Sequence, residues 1–350
     1  MGGNVVDSSL MRREIEQQPG ALRATIEALL PRRAEVAALA AGTSTVLFIA
    51  RGTSDNAAVY GSYLIQAHAG RLTALAAPSI ATTYRARVDL SGVLAVALSQ
   101  SGRTAEIVET LEWAHDCGAR TLAITNGGPS SPLAEAASVA LCTEAGEERA
   151  VPATKTFTTE LAALAVLGLA LGARLDAGEL RAVPDAVFEL LARPPEVEPI
   201  VAALAAVSGV VVSGRGMAYA AALELAIKLK EACYLSAMGL SYADLLHGPI
   251  AVVDENTPAI VVAADSGPTL AGTVDLARRV TGAGAHAFGI GGGGALAAAC
   301  TASVAGPALP EWLAPIGLIV PGQLLTETLA RRLGIDPDTP RGLSKVTQTA

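Results

Sequence analysis

The residues best suited to chemistry fall in a few short polar stretches of an otherwise apolar chain. Ser99-Gln100-Ser101-Gly102-Arg103-Thr104 directly follows the apolar run 93–98. Ser99, Gln100, Ser101 and Thr104 offer hydroxyl and amide donors, and Gly102 lets the backbone approach a ligand closely. A helix opening at Thr104 turns its positive end toward an anion. Gly52-Thr53-Ser54, at the end of the apolar run 46–50, adds a further hydroxyl. Helix N-caps would account for one such hydroxyl. Four polar groups in one loop exceed what a cap needs, and the stretch is read as a phosphate pocket.

A second stretch offers acid–base groups. In LELAIKLKEACYL (223–235), Glu224, Lys228 and Glu231 stand at i, i+4 and i+7, on one face of a helix that is otherwise apolar. An exposed ionic stripe is the competing reading of that face. Sixteen residues past Glu231 comes His247, followed by Gly248-Pro249 in a loop that restricts the backbone. Of the four histidines, His68, His115, His247 and His286, only His247 has such a setting. A carboxylate base and an imidazole beside a phosphate-anchored substrate are what sugar enolisation requires. The carboxylate moves a proton between adjacent carbons, and the imidazole exchanges one with the ring oxygen. The remote phosphate fixes orientation.

These groups need a scaffold, and an internal repeat supplies it. VLFIARGTSDNAAVYGSYLI (46–65) aligns with VVVSGRGMAYAAALELAIKL (210–229), matching Arg51-Gly52 to Arg215-Gly216 at an offset of 164. LAVALSQSGRT (94–104) aligns with AIVVAADSGPT (259–269) at 165, and GARTLAI (118–124) with GAHAFGI (284–290) at 166. Each copy reads β–α–β–α–β with short loops, and its strands are continuous apolar runs, as in parallel sheets covered on both faces. Right-handed crossovers then give a doubly wound αβα layer structure in each copy. Ligands in such sheets bind beyond the carboxyl ends of the strands. The second copy lacks the donor set, since Asp265 stands where the first has Gln100. A dinucleotide fingerprint is not met: Gly214-Arg215-Gly216 lacks the third glycine.

Four segments are expected: an N-terminal amphipathic helix over 1–30, a phosphate-binding domain over 31–192, a second domain with the catalytic helix over 198–335, and a tail over 336–350. The Pro-rich stretch 192–199 links the two domains. Composition narrows the function. At 350 residues with net charge −8, the chain has no basic patch to hold nucleic acid. Aromatics at 3% and many small aliphatics suit packed α/β layers. The longest apolar run, 161–172, falls short of the roughly 20 residues of a membrane span and reads as a buried helix. Four cysteines without CxxC pairing (Cys117, Cys142, Cys233, Cys300) fit free thiols in a reducing cytosol. With no signal-peptide pattern, a cytoplasmic location is expected.

With these motifs in view, the chain resembles the sugar isomerase (SIS) domain family, in particular the isomerase half of glucosamine-6-phosphate synthase and SIS-type glucosamine-6-phosphate deaminases. The resemblance runs from about residue 20 to 350 and rests on RGTS (51–54), SQSGRT (99–104), ATKTFTTEL (153–161), KLKE (228–231), LLHGP (245–249) and PRGLSK (340–345). It implies two tandem flavodoxin-like domains. It also implies that Ser54, Ser99, Gln100, Ser101 and Thr104 bind the 6-phosphate and that the Val151 backbone contacts the sugar. Glu231 would be the enolisation base, Lys228 its charged neighbour, and His247 the ring-opening group, reaching into a neighbouring subunit's site. Lys345 would sit over the sugar. Without the resemblance, 336–350 reads as a disordered terminus.

Departures from the family pattern bear on the substrate. The chain opens Met-Gly-Gly rather than with a catalytic cysteine, so glutamine-dependent synthesis is not expected without a separate ammonia source. Asp244 replaces a common Glu, and Pro152-Ala153 removes a hydroxyl. The leading expectation is conversion of glucosamine 6-phosphate to fructose 6-phosphate and ammonia, by a homodimer with shared sites and no cofactor or metal. A fructosamine-6-phosphate deglycase or another amino-sugar-phosphate deaminase is the alternative among enzymes. A phosphosugar sensor is the alternative outside them. Against the sensor stand the joint presence of Glu231, His247 and Lys345 and the lack of a spare helix-turn-helix segment.

Overall fold

The computed structural model describes residues 8–345. Three helices lead in: α1 (Leu10–Glu16), α2 (Gln18–Leu29) and α3 (Arg33–Leu39). The single helix expected over the first thirty residues is therefore broken at Gln17. Pro19 in the first turn of α2 explains the break, because it tolerates a helix start but not a helix interior.

The first copy then runs β1 (Thr45–Ile49), α4 (Gly52–Leu64), β2 (Leu72–Leu75), α5 (Ser79–Thr82), β3 (Val93–Ser99), α6 (Ala105–Asp116), β4 (Arg120–Thr125), α7 (Pro132–Ala136), β5 (Val139–Cys142). Two helices follow, α8 (Lys155–Ala170) and α9 (Ala177–Ala192), then α10 (Glu198–Leu204) beyond the Pro-rich stretch. The second copy repeats the order: β6 (Gly209–Gly214), α11 (Ala218–Cys233), β7 (Ser236–Ser241), α12 (Tyr242–Leu246), β8 (Ala259–Ala263), α13 (Leu270–Gly282), β9 (Ala287–Gly291), α14 (Gly293–Ala297), β10 (Ala302–Val304). The long helix α15 (Ala314–Arg332) closes it.

Both sheets are wholly parallel and identically ordered, β2-β1-β3-β4-β5 and β7-β6-β8-β9-β10. That is the doubly wound flavodoxin-like order, with its switch point between the first and third strands. Each copy has five strands where three were expected from apolar runs. The two additions lie at the sheet edges, and they are short or partly exposed. β2 is largely exposed along its four residues, and β10 has only three.

Between the sheets lies one continuous core to which both copies contribute, including Phe48, Tyr60 and Leu164 from the first and Val212, Leu225 and Leu325 from the second. Helix α8 is buried on every face from Lys155 to Gly168, so the apolar run there is a core helix as expected. Smaller clusters cover the outer faces, around Ile107 and Leu111 in one copy and Leu276 and Ala277 in the other. Among the described residues, no helix is long and apolar enough to cross a membrane.

Candidate active site

The carboxyl ends of β1 and β3 open on a cavity of about 310 Å³. Nine of the ten expected site residues line it: Ser54, Ser99, Gln100, Ser101, Thr104, Val151, Lys228, Glu231 and Lys345. Arg51 and Thr53 are at its wall as well, from the start of α4.

The donor loop is shaped by one glycine. Gly102 has φ +63°, and a Cβ there would come within 2.6 Å of Ser131 Oγ. Two of its hydroxyls accept backbone bonds and keep their protons for other acceptors: Ser99 Oγ from the Gly102 N–H (3.2 Å) and Ser101 Oγ from the Arg103 N–H (3.2 Å). Thr104 stands at the N-cap of α6 but makes no side-chain cap bond. Capping therefore does not consume this hydroxyl, and the start of α6 turns its dipole's positive end toward the cavity. At the rim, Arg51 makes a two-pronged pair with Glu106, Nε and Nη2 each at 3.0 Å.

The charged face of α11 is buried rather than a solvated stripe. Lys228 is 1% exposed and its Nζ lies 2.6 Å from Glu231 Oε2 and 3.4 Å from Glu224 Oε1. Burial works against the ammonium, yet Glu224 and Glu231 outweigh it and hold its pKa above the ordinary lysine value. Glu231 keeps its side chain about one-quarter exposed, at the cavity surface. Glu224 is fully buried and accepts from Thr53 Oγ1 (3.0 Å) and Asn56 Nδ2 (2.9 Å), both on α4, so it ties the two copies together. Burial pushes its pKa up to about 7, with Lys228 opposing.

The tail is ordered through Lys345, contrary to the reading of 336–350 as a disordered terminus; residues 346–350 lie outside the described residues. The Asp338 carboxylate accepts the Leu10 and Met11 N–H groups (2.7 Å each) at the start of α1, and its carbonyl accepts the Val151 N–H at 2.9 Å. Further along, the Arg341 N–H donates to the Tyr234 hydroxyl (2.8 Å). Lys345 Nζ then reaches Glu148 Oε2 (2.8 Å) and the Ala150 carbonyl (2.7 Å).

Two carboxylates here were not expected from the sequence. Glu148 is buried and also accepts from the Thr154 and Thr156 N–H groups and Thr156 Oγ1. Burial alone would raise its pKa, but Lys345 and these donors bring it below the usual carboxylate value. Glu160 lies on α8 and accepts from Ser54 Oγ at 2.9 Å. Burial pushes it up to about 8, with Ser54 opposing and Glu224 and Glu148 adding. Glu160 did leave a signal: it is a lone carboxylate inside the most apolar helix of the chain.

His247 is the expected residue that the structure leaves outside the cavity of its own chain. It is exposed just beyond α12, at the edge of the second sheet. The second copy's equivalent of the donor loop is closed differently. Asp265 Oδ1 accepts the Gly293 N–H (2.9 Å), and Glu311 packs on Gly267.

Two parallel five-stranded sheets with a polar loop at the first switch point define a tandem doubly wound α/β protein, and comparison with known proteins sharpens this. The SIS domain model matches residues 41–170 and 203–315. The chain belongs to the SIS domain family. A glutamine–fructose-6-phosphate aminotransferase (isomerizing) from Methanothermobacter thermautotrophicus is 33% identical over 344 residues, spanning 96% of this chain and 56% of that protein. The chain thus spans a little over half the length of such relatives. The C-terminal domain of glucosamine-fructose-6-phosphate aminotransferase from Francisella tularensis superposes with a TM-score of 0.85 at 29% identity, covering 97% of this chain and all of that one. A glucosamine-6-phosphate deaminase from Thermotoga maritima shares the fold, with a TM-score of 0.76 at 23% identity over 97% of this chain and all of that one.

Proposed function

We propose that the protein is a phosphosugar isomerase that acts as a deaminase, converting glucosamine 6-phosphate and water to fructose 6-phosphate and ammonia. One observation carries this reading: the donor loop and the Lys228–Glu231 pair line the same cavity. Similarity to proteins named for fructose 6-phosphate and glucosamine 6-phosphate chemistry supports it.

The phosphate is held by Ser54, Ser99, Gln100, Ser101 and Thr104 at the start of α6, where hydroxyl donors and helix dipole act together. His247 of a neighbouring subunit opens the sugar ring by moving a proton to the ring oxygen. Glu231 then takes the proton on carbon 2 while the C1 oxygen takes one from solvent, so the carbonyl becomes a hydroxyl and the enolamine results. Reprotonation at carbon 1 gives the imine of fructose 6-phosphate. Water adds to that imine and ammonia leaves, so atoms balance without an external oxidant or reductant. Lys228 holds Glu231 by a charge-assisted bond, and Lys345, with the Val151 backbone, borders the sugar. The exposed position of His247, away from its own cavity, fits a site completed by a second copy.

The test is a panel of hexose and amino-hexose 6-phosphates with separate readouts for ammonia and ketose. Glucosamine 6-phosphate is expected to yield both products in equal amounts. Turnover of fructosamine 6-phosphates in its place would move the substrate, and no turnover of any phosphosugar would remove the enzyme reading. Light scattering at assay concentration should show a dimer or larger, and an active monomer would remove the shared site.

A further inference from the structure

We infer that Glu160 carries a proton when a phosphorylated ligand is bound and relays a hydrogen bond through Ser54, so that binding above neutral pH takes up a proton. The inference rests on the phosphate reading and adds a positioning residue to it.

The geometry of the unliganded pocket sets the problem. Ser54 has a single hydroxyl proton, and while Glu160 is ionised that proton is engaged with Glu160 Oε1 across 2.9 Å. A proton engaged there is not available to a phosphate oxygen. If Ser54 turned to a ligand while Glu160 stayed ionised, the carboxylate would be left buried with neither oxygen bonded. Its Oε2 already has no partner among the described residues. Protonating Glu160 reverses the polarity. The carboxylic O–H donates to Ser54 Oγ, and the Ser54 proton is free to face the phosphate.

Charge around Glu160 favours the same state. Three elements present titratable groups near it: α11 with Glu224, Lys228 and Glu231, the loop before α8 with Glu148, and the tail with Lys345; α4 presents the neutral Ser54. Both lysines are already engaged. Lys228 lies between Glu224 and Glu231, and Lys345 is paired with Glu148. Glu160 alone among these carboxylates has no cation partner in the described residues, and it is 2% exposed. Burial, with Glu224 and Glu148 adding, raises its pKa to about 8, after the opposing bond from Ser54. A dianionic ligand nearby raises it further.

The sign follows. At pH 7 the free protein already holds most of this proton, so binding takes up little. Above roughly pH 8 the free protein has lost it, binding must recover it, and affinity falls about tenfold per pH unit. If Glu160 served only to brace Ser54, Glu160→Gln would alter stability and leave this pH slope in place.

The probe is glucitol 6-phosphate, which can neither enolise nor titrate an amine. Its phosphate is fully ionised above about pH 7.5, its second pKa lying near 6. Calorimetric titration of the whole protein, in two buffers of different ionisation enthalpy, reads affinity and proton uptake together. The wild type is expected to bind roughly tenfold more weakly at pH 9 than at pH 7 and to take up most of one proton at pH 9. Glu160→Gln, whose amide is a permanent donor to Ser54, should bind with little pH dependence and no uptake. Proton uptake by the wild type needs no variant to be measured. Binding without uptake at pH 9, or with uptake equal in Glu160→Gln, overturns the role of Glu160 and leaves the phosphate pocket standing. No binding at pH 7 overturns both.

Discussion

The two copies place nearly the same loop at the same point of the same sheet, and they differ in what becomes of its polar groups. In the first, Ser99 and Ser101 accept backbone bonds and Thr104 makes no cap, and all three line a cavity. In the second, Asp265 is bonded to the Gly293 N–H, and Glu311 covers Gly267, where an added Cβ would meet Glu311 Cγ at 3.0 Å. Two carboxylates thus occupy the neighbourhood where an anion would bind. The arginines diverge in the same way: Arg51 pairs with Glu106, whereas Arg215 stacks 4.7 Å over the Tyr242 ring. The strand-and-helix frame is common to both while the loops differ, one copy presenting hydroxyl donors to the cavity and the other the charged helix α11. Neither half contains the site alone.

The strongest way to break this division of labour is at the base. Glu231→Gln keeps the shape of the side chain but accepts no proton. The turnover number kcat should fall by roughly 100-fold or more while KM changes little. Exchange of the carbon-bound hydrogen with deuterated solvent should vanish. Exchange at the wild-type rate would assign the base elsewhere.

Next comes a matched pair. Ser101→Ala with Thr104→Ala removes two bonds to a charged ligand, at about 1.5–3 kcal/mol each, and should raise KM by roughly 100-fold or more. Ser266→Ala with Thr269→Ala, the corresponding change in the second copy, should leave KM where it was. Equal effects would mean the halves are not specialised as described.

A single transplant sharpens the point. Gln100→Asp gives the first copy the acid of the second and should weaken phosphate binding by about tenfold through like-charge repulsion, more at low salt than at high. An unchanged KM across ionic strengths would place the phosphate away from this loop.

The smallest effect concerns the contact between copies. Thr53→Val removes one donor to the buried Glu224 and should lower stability by about 1 kcal/mol, seen as a Tm loss of about 2 °C. No change in Tm would show that Asn56 and Lys228 satisfy that carboxylate without it.

Most of the frame and the donor loop are legible in the sequence, because they are written locally. Buried parallel strands are short apolar runs, and the loop's hydroxyls sit next to one of them. The repeat then assigned both copies the same β–α–β–α–β succession along the chain. What escaped is what depends on distance along the chain. The edge strands β2 and β10 are short and half exposed, so no apolar run marks them. The face of α11 was ambiguous between solvent and core until α4 was seen to cover it. Glu148 acquires its meaning from Lys345, 197 residues later. Ordering of the tail to Lys345 depends on Asp338 meeting the start of α1, a contact that no local pattern announces.

Tyr234 deserves a last consideration from the standpoint of protein engineering. It ends α11 with φ 55° and ψ 25°, the left-handed conformation where glycine is the ordinary occupant and where a side chain costs roughly 1–2 kcal/mol. A search for thermostabilising substitutions would therefore nominate Tyr234→Gly. Yet the hydroxyl receives the Arg341 N–H, and the ring lies 4.2 Å beneath the Arg341 guanidinium, four residues before Lys345. At this strained position the ring moors the segment that brings Lys345 to the pocket. Screening on melting temperature alone would discard the contact that holds Lys345 at the cavity.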